Sequence, residues 1–325
     1  MRPAFAKKRA EVLFFSAPNR QEAGFMTLAI GSVQLGLIYG LLALGIYISF
    51  RILNIPDLTA DGSFTLGLSV SAAMTVAGYP FFGILLAIVA GAAAGSVTGL
   101  LQTKIGIHPI LAGILTMSSL YSVNLYILGS RSNLSLIGND SVFNQMPAGL
   151  SLDKELVKTV IPLIFCFVCS GILIWFFKTH LGLCIRATGN NEDMVRASSI
   201  NVSSMKIIAL GISNACVALS GAVLAQYQGY ADISSGIGIV VVGLASAIIG
   251  EAIFGRRSVT VGLISAIFGA LLYRFIIAAA LKSSIFPAYA LRIVSAAIVV
   301  IALVIPVINR NIQLSNMRKK AQRDA

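Results

Sequence analysis

His180-Leu-Gly-Leu-Cys-Ile-Arg-Ala-Thr-Gly-Asn-Asn-Glu-Asp-Met-Val-Arg-Ala-Ser-Ser-Ile-Asn-Val-Ser-Ser204 is a polar interruption in a chain otherwise built of apolar runs. The runs on either side would pack into a membrane bundle on their own; the interruption, residues 179–204, would not. It carries charge of both signs and a helix-compatible centre. A break of this length and character reads as a surface offered to a soluble partner.

Composition sets the class. Of 325 residues, 57% are hydrophobic and only 11% are charged, with a mean hydropathy of +0.89. A soluble domain carries roughly 25% charged residues, so these charges are too few to cover a water-facing surface. The expected fold is an all-α polytopic membrane protein. The net charge of +12 does not indicate nucleic acid as a partner, because the basic residues sit in short loops and at the termini. Four cysteines give no disulfide framework: Cys166 and Cys169 share one apolar run, Cys216 lies in another, and Cys184 lies in the break. The sequence has no phosphate-binding loop, no HExxH and no G-x-S-x-G. No catalytic residue, metal ligand or cofactor is expected, and any nucleotide hydrolysis falls to another subunit.

About nine hydrophobic segments are expected. They run near Phe25–Phe50, Ser63–Gly78, Phe81–Leu101, Ile107–Leu128, Thr159–Phe177, Met205–Tyr227, Ile237–Phe254, Val259–Leu281 and Tyr289–Ile308. A span needs roughly 20 apolar residues. The second segment, rich in Ser, Ala and Gly, is therefore marginal and requires protein or a water-filled cavity around it. Basic residues set the orientation. Lys178, Arg186, Arg196 and Lys206 in the break, Arg256 and Arg257, and the tail with Arg310, Arg318, Lys319, Lys320 and Arg323 fall on one side, the cytoplasm. Counting backwards adds Arg51 and Lys104 to that side and puts the N-terminus outside, against Lys7, Lys8, Arg9 and Arg20. Either the first 24 residues lie on the membrane surface, or Met26 is the natural start and the stretch before it is an upstream extension. The second is the expectation, because the transmembrane pattern begins at Met26. The chain then divides into a basic extension (1–24), a transmembrane domain (25–309) and a basic cytoplasmic tail (310–325).

Small residues mark helix contacts. Gly91, Gly95 and Gly99 in the third segment, and Gly36 and Gly40 in the first, are spaced for close approach of backbones, expected within one bundle. Between segments one and two, Asp57 and Asp61 are carboxylates close to the membrane, where such groups are expensive and often functional. Two readings stay open. In one, Pro56 breaks the helix and Asp61 or Ser63 caps segment two. In the other, a discontinuous helix lies beside a transport pathway. Gln34, Asn124, Asn214, Gln226, Gln228 and Glu251 are polar positions within the segments, each suited to an interhelical hydrogen bond or to a cavity wall; Arg274 is deep by count. Candidate pathway residues are Asn54, Asp57, Asp61, Asn124, Asn214 and Gln226. In the break, Thr188, Asn190 or Asn191 caps a short helix with Glu192 and Asp193 in its first turn. Met194, Val195, Ala197, Ser198 and Ile200 give that helix a small apolar face.

Three pieces of sequence together resemble one family. They are Gly36-Leu-Ile-Tyr-Gly-Leu-Leu-Ala-Leu-Gly-Ile-Tyr-Ile48 running into Asn54-Ile-Pro-Asp-Leu-Thr-Ala-Asp-Gly-Ser63; Leu181-Gly-Leu-Cys-Ile-Arg-Ala-Thr-Gly-Asn-Asn191 with Met194 to Ile200; and Ser220-Gly-Ala-Val-Leu-Ala-Gln-Tyr-Gln-Gly-Tyr230. In this order they are similar to permease subunits of bacterial ABC importers of the branched-chain amino acid and ribose type, over about residues 27–309. The run from Phe50 to Ser63 looks closest to a branch with members associated with aromatic amino acid uptake. The resemblance implies a fold similar to the vitamin B12-type importer permease lacking its first helix. It implies residence in the bacterial plasma (inner) membrane and three partners: cytoplasmic ATP-binding subunits, an extracellular or periplasmic substrate-binding protein, and a second permease copy. It also places an ATPase-coupling helix at Gly189, Asn190, Asn191, Glu192, Asp193, Met194, Val195, Arg196, Ala197 and Ser198. The competing expectation is a secondary transporter driven by an ion gradient, with Asp57, Asp61 and Glu251 as its ionisable candidates. A membrane enzyme acting on lipid would need an acidic or His cluster that the sequence does not supply.

Overall fold

Hydrocarbon offers no hydrogen-bond partner to a backbone, so apolar runs must form helices. A computed structural model describes residues 20–145, 154–255 and 258–282, with isolated helical positions Ile293, Ala296, Ala297, Val300 and Val304. Helix α1 is Arg20–Tyr47, continued by a π-helical turn over Ile48–Ile52; α2 is Thr59–Val76, α3 Pro80–Thr103, α4 Pro109–Ile127 and α5 Lys154–Phe176. The break holds α6, His180–Asn190, and α7, Glu192–Ala197. Then come α8, Val202–Gln228, α9, Ile239–Phe254, and α10, Val259–Lys282. Eight of the expected segments are thus helices. Most of the ninth, Arg256 and Arg257, the first 19 residues and the tail fall outside the described residues. Helix α1 begins at Arg20 and runs through the expected boundary at residue 24.

Local sequence sets several ends. Pro80 and Pro109 occupy first-turn positions, where a missing amide is harmless. Gly229, at φ +76°, closes α8 in the left-handed conformation. The described residues are all-α apart from one short ribbon. Strands β1, Asn133–Ser135, and β2, Tyr230–Asp232, pair antiparallel, with Asn133 opposite Asp232. These strands follow α4 and α8, and pairing satisfies the backbone groups that emerge there.

Helices α1, α3, α4, α5, α8 and α10 are long and apolar enough to cross a membrane. In α1 and α8, 83% and 78% of the most apolar window is buried, against 28% in α4 and α5, so α1 and α8 form the centre and α4 and α5 the periphery. Helix α2 is not apolar enough to face lipid. Its residues Thr59, Ser63, Thr65, Ser69, Ser71 and Thr75 are all buried. It sits inside the bundle against α8, α3 and α4, as its marginal character requires.

Small residues make this packing possible. A β-carbon at Gly67 would overlap the backbone of Ala218, and one at Gly221 the carbonyl of Phe64. Gly91 and Gly95 bring α3 equally close to α8 at Asn214 and Leu210, while Gly36 and Gly40 pack α1 on Leu271 and Ile267 of α10. Both expected small-residue faces therefore lie within one bundle.

The two ends differ in charge. Gly189 packs on Ile52, Gly99 on Ile207, and Lys206 pairs with Glu192. Arg51, Lys104 and the break are thereby gathered at one end, which the basic-residue rule assigns to the cytoplasm. The β-ribbon closes the other.

Replacing Gly221 by Val should destabilise the fold by about 1–3 kcal/mol through overpacking. The expected result is a lower melting temperature in detergent. Gly171→Ala, whose β-carbon meets nothing within 4 Å, should leave it unchanged.

Candidate functional site

At the basic end, the break folds as two helices rather than one. Thr179 caps α6 by accepting the N–H of Gly182 at 3.4 Å, and Asn191 caps α7 by accepting that of Met194 at 3.1 Å. Of the three expected capping residues, Asn191 does the work; Thr188 is buried and donates to the Cys184 carbonyl at 2.8 Å. Glu192 and Asp193 lie in the first turn of α7 as expected, but they face different partners. Glu192 reaches Lys206 at the start of α8 (2.5 Å) and Arg196 (3.9 Å), while Asp193 is exposed. The apolar face also divides. Val195 is buried against the bundle, whereas Met194 is 68% exposed and points away from it. Ala197, Ser198 and Arg196 are exposed beside it. One side of α7 therefore holds it to the bundle, and the other presents an apolar methionine with charge on either side.

Behind the break lies the connection between α1 and α2. A groove of about 640 Å³ runs between them, lined by Arg51, Asn54, Arg186, Gly189, Asn190 and neighbouring side chains. Gly189 closes its floor, because a β-carbon there would overlap the Ile52 carbonyl. Asn54, expected on the pathway, stands at this cytoplasmic groove, exposed and at φ +56°. That conformation suits Asn better than most residues.

Deeper in, the two carboxylates take distinct roles. Asp57 is fully buried; one oxygen accepts the Thr59 N–H at 2.9 Å and the other the Asn214 amide at 2.7 Å. It therefore caps α2 and ties it to α8. Neither Asp61 nor Ser63 has that role. Asp61 instead accepts the N–H groups of Gly238 and Val240, each at 2.9 Å, at the start of α9. Helix α9 has 16 residues, too few to cross alone, and the irregular segment before it makes up the length. Such backbone is tolerated at depth only beside protein or a cavity, and both are present. Asp61, Thr65, Tyr121, Asn124, Gly236 and Ile237 border a cavity of about 360 Å³, with Gly62, Met117, Ser118 and Ile233 completing its wall. Its mouth is open, since Tyr121 and Ile237 are 54% and 70% exposed. Asn124 donates to the Gly62 carbonyl at 3.2 Å, which leaves its own oxygen unpartnered.

The six candidate pathway residues therefore separate. Asp61 and Asn124 share the cavity, Asp57 and Asn214 form a buried pair beneath it, and Asn54 stands at the cytoplasmic groove. Gln226 lies buried at the opposite end; it binds Ser71, the Pro80 carbonyl and the Val142 N–H, joining α2, α3 and the loop after β1. Gln34 similarly links Thr159 and the Glu155 carbonyl to Tyr227. Arg274 stacks over the Tyr39 ring, 3.6 Å from its centroid. Sequence reasoning missed Tyr121 and the Gly236–Ile237 wall, as well as a buried hydroxyl chain from Thr59 through Thr98 to Thr116 (2.7 and 2.9 Å). Spacing carries no signal for that chain, because its three members come from three helices.

A helical bundle of this kind, with a polar two-helix outcrop at its basic end and a half-open polar cavity within, is a multi-pass membrane protein. The chain belongs to the family described as branched-chain amino acid transport system / permease component, whose model matches residues 28–303. It is 40% identical over 242 residues to the tyrosine transport system permease protein of Clostridioides difficile (strain R20291), covering 74% of this chain and 79% of that one. It is 27% identical over 214 residues to the ribose import permease protein of Escherichia coli (strain K12), covering 65% and 61%. A solved structure, PsaBC from Streptococcus pneumoniae in complex with Fab, aligns over 85% of this chain and 90% of that chain, with a TM-score of 0.48 and 14% identity. This chain is accordingly a permease subunit of the ABC importer class.

Asp57→Ala should strand the Asn214 amide and the Thr59 N–H, each of which costs about 1–3 kcal/mol when buried without a partner. Its melting temperature should fall below that of Asp57→Asn, which keeps one acceptor.

Proposed function

We propose that this chain imports an amino acid, with aromatic side chains preferred, by alternating access driven by separate ATPase subunits. Two permease copies enclose the pathway, and the half-open cavity at Asp61 and Asn124 contributes one wall. A substrate-binding protein outside the membrane delivers the cargo. The ATPase subunits dock on Gly189–Ser198, with exposed Met194 as the apolar contact and Asp193 beside it.

The observation that carries this reading is the position of the capped outcrop. Its short charged helix turns Asp193, Met194 and Arg196 away from the bundle, and Gly189 seats it directly on the chain leading to the cavity. The substrate class draws support from the 40% identity to a tyrosine transport permease. The cavity agrees with it. A carboxylate, an amide and two hydroxyl groups line it together with Met117, Tyr121, Ile233 and Ile237, a lining suited to a solute with polar and apolar parts. An ion-gradient mechanism finds less support, because Asp61 is engaged by α9 and Glu251 by Arg51.

Reconstituted in proteoliposomes with its ATPase and binding protein, the complex should accumulate labelled tyrosine only when ATP is supplied on the cytoplasmic side. Uptake that persists without ATP and collapses with the ion gradient would overturn the reading. Ala197→Trp and Met194→Asp should each weaken ATPase capture at least about tenfold and lower uptake in parallel. Wild-type capture and uptake in both variants would remove the docking assignment.

A further inference from the structure

One short piece of chain grips α9 at both ends. At the cytoplasmic end the Arg51 guanidinium pairs with Glu251. At the other end Asp61 holds the amides of Gly238 and Val240. The helix between Ile239 and Glu251 is about 18 Å long at 1.5 Å per residue, and the connection from residue 51 to residue 61 runs alongside it. Between those grips the connection has two further contacts. Gly189 of α6 presses on the backbone of Ile52 and Leu53 with no room for a β-carbon. Asp57 is bonded to Asn214 of the central helix α8 at 2.7 Å.

These contacts make the connection a mechanical element. A close-packed contact without slack cannot absorb a displacement locally, so movement of α6 is delivered to Ile52 and Leu53. Asp57 fixes one point of the connection to α8. Residues 53–58, which are not helical and include Asn54 at φ +56°, supply the dihedral freedom of a hinge. Because α9 is held at both ends, and is interlocked with α10 through Gly250 and Gly269, it moves with the connection together with α10. The residues just before α9, Gly236 and Ile237, form a wall of the cavity.

We propose that residues 51–61 are an arm that carries displacement of the α6–α7 outcrop to α9 and reshapes the cavity wall, with Arg51 and Asp61 as positioning residues. The proposal rests on the importer reading above: the cytoplasmic partner moves the outcrop, and the arm moves the cavity.

The test uses the full complex in lipid nanodiscs and the substitution Ile237→Cys. Reactivity at that position toward an impermeant maleimide is followed by mass spectrometry, with and without ATP and vanadate. In an otherwise unaltered permease, trapping the ATPases should change the labelling rate at least about fivefold, the lower range of site-to-site coupling. Arg51→Glu should abolish this response while the ATPase subunits stay bound, and adding Glu251→Arg should restore it. Arg51→Gln serves where the charge reversal fails to fold, and Asp61→Ala should abolish the response from the other end. Gly83→Ala, which crowds Met74 away from the arm, should lower the melting temperature and keep the response. A full response in Arg51→Gln and in Asp61→Ala, with the complex intact, overturns the arm. Absence of any response in the unaltered permease with its ATPases bound would overturn the importer reading beneath it.

Discussion

The carboxylate of Asp61 on the first amides of α9 is the contact on which the remaining geometry depends. A helix that starts inside a membrane exposes N–H groups with no water to receive them. Asp61 comes from α2, and it supplies both acceptors at 2.9 Å. That allows α9 to be short, the preceding backbone to remain irregular, and a cavity to open beside Gly236 and Ile237. Without an acceptor at this point, α9 would have to start nearer the β-ribbon, and the irregular wall of the cavity would have no place.

Around this contact the bundle divides into a compact part and a more loosely bounded one. Helices α2, α3 and α8 meet through Gly67, Gly91, Gly95 and Gly221 at backbone distance. Buried hydroxyls along α2 are kept from lipid: Ser71 donates to the Ala222 carbonyl and Thr59 meets Thr98, while those of Ser63 and Ser69 are buried without a partner. That packing leaves little room for relative motion. Helix α9 approaches α10 closely through Gly250 and Gly269. It meets the connection between α1 and α2 mainly through two polar grips at its ends. Polar contacts exchange partners more readily than interlocked backbones do, so the division is consistent with the alternating access proposed above.

Much of this was legible in the sequence. The helical class, eight segment positions, the polar break and the first-turn acids of α7 all follow from local pattern, because hydropathy and capping act over a few residues. The small-residue faces were legible as faces, and their partners were not. The polar residues show the limit best. Asn124 and Gln226 look alike in sequence, each a lone amide in an apolar run. One borders a cavity, and the other fastens three segments at the far end. Glu192 and Asp193 are adjacent and chemically similar, yet the helical turn sends one to Lys206 and the other to solvent.

The sequence by itself determined that this protein lives in a membrane, crosses it repeatedly, offers a polar outcrop and contains no phosphate-binding-loop motif. Those properties depend on composition and on spacing within single helices. Only the tertiary structure decided that Asp61 caps a helix 177 residues away and that Arg51 reaches Glu251 across 200 residues. The physical reason is that such contacts belong to pairs of helices. A carboxylate near a membrane must find a donor, but which of several helix ends provides it depends on how backbones separated by small residues stack against one another.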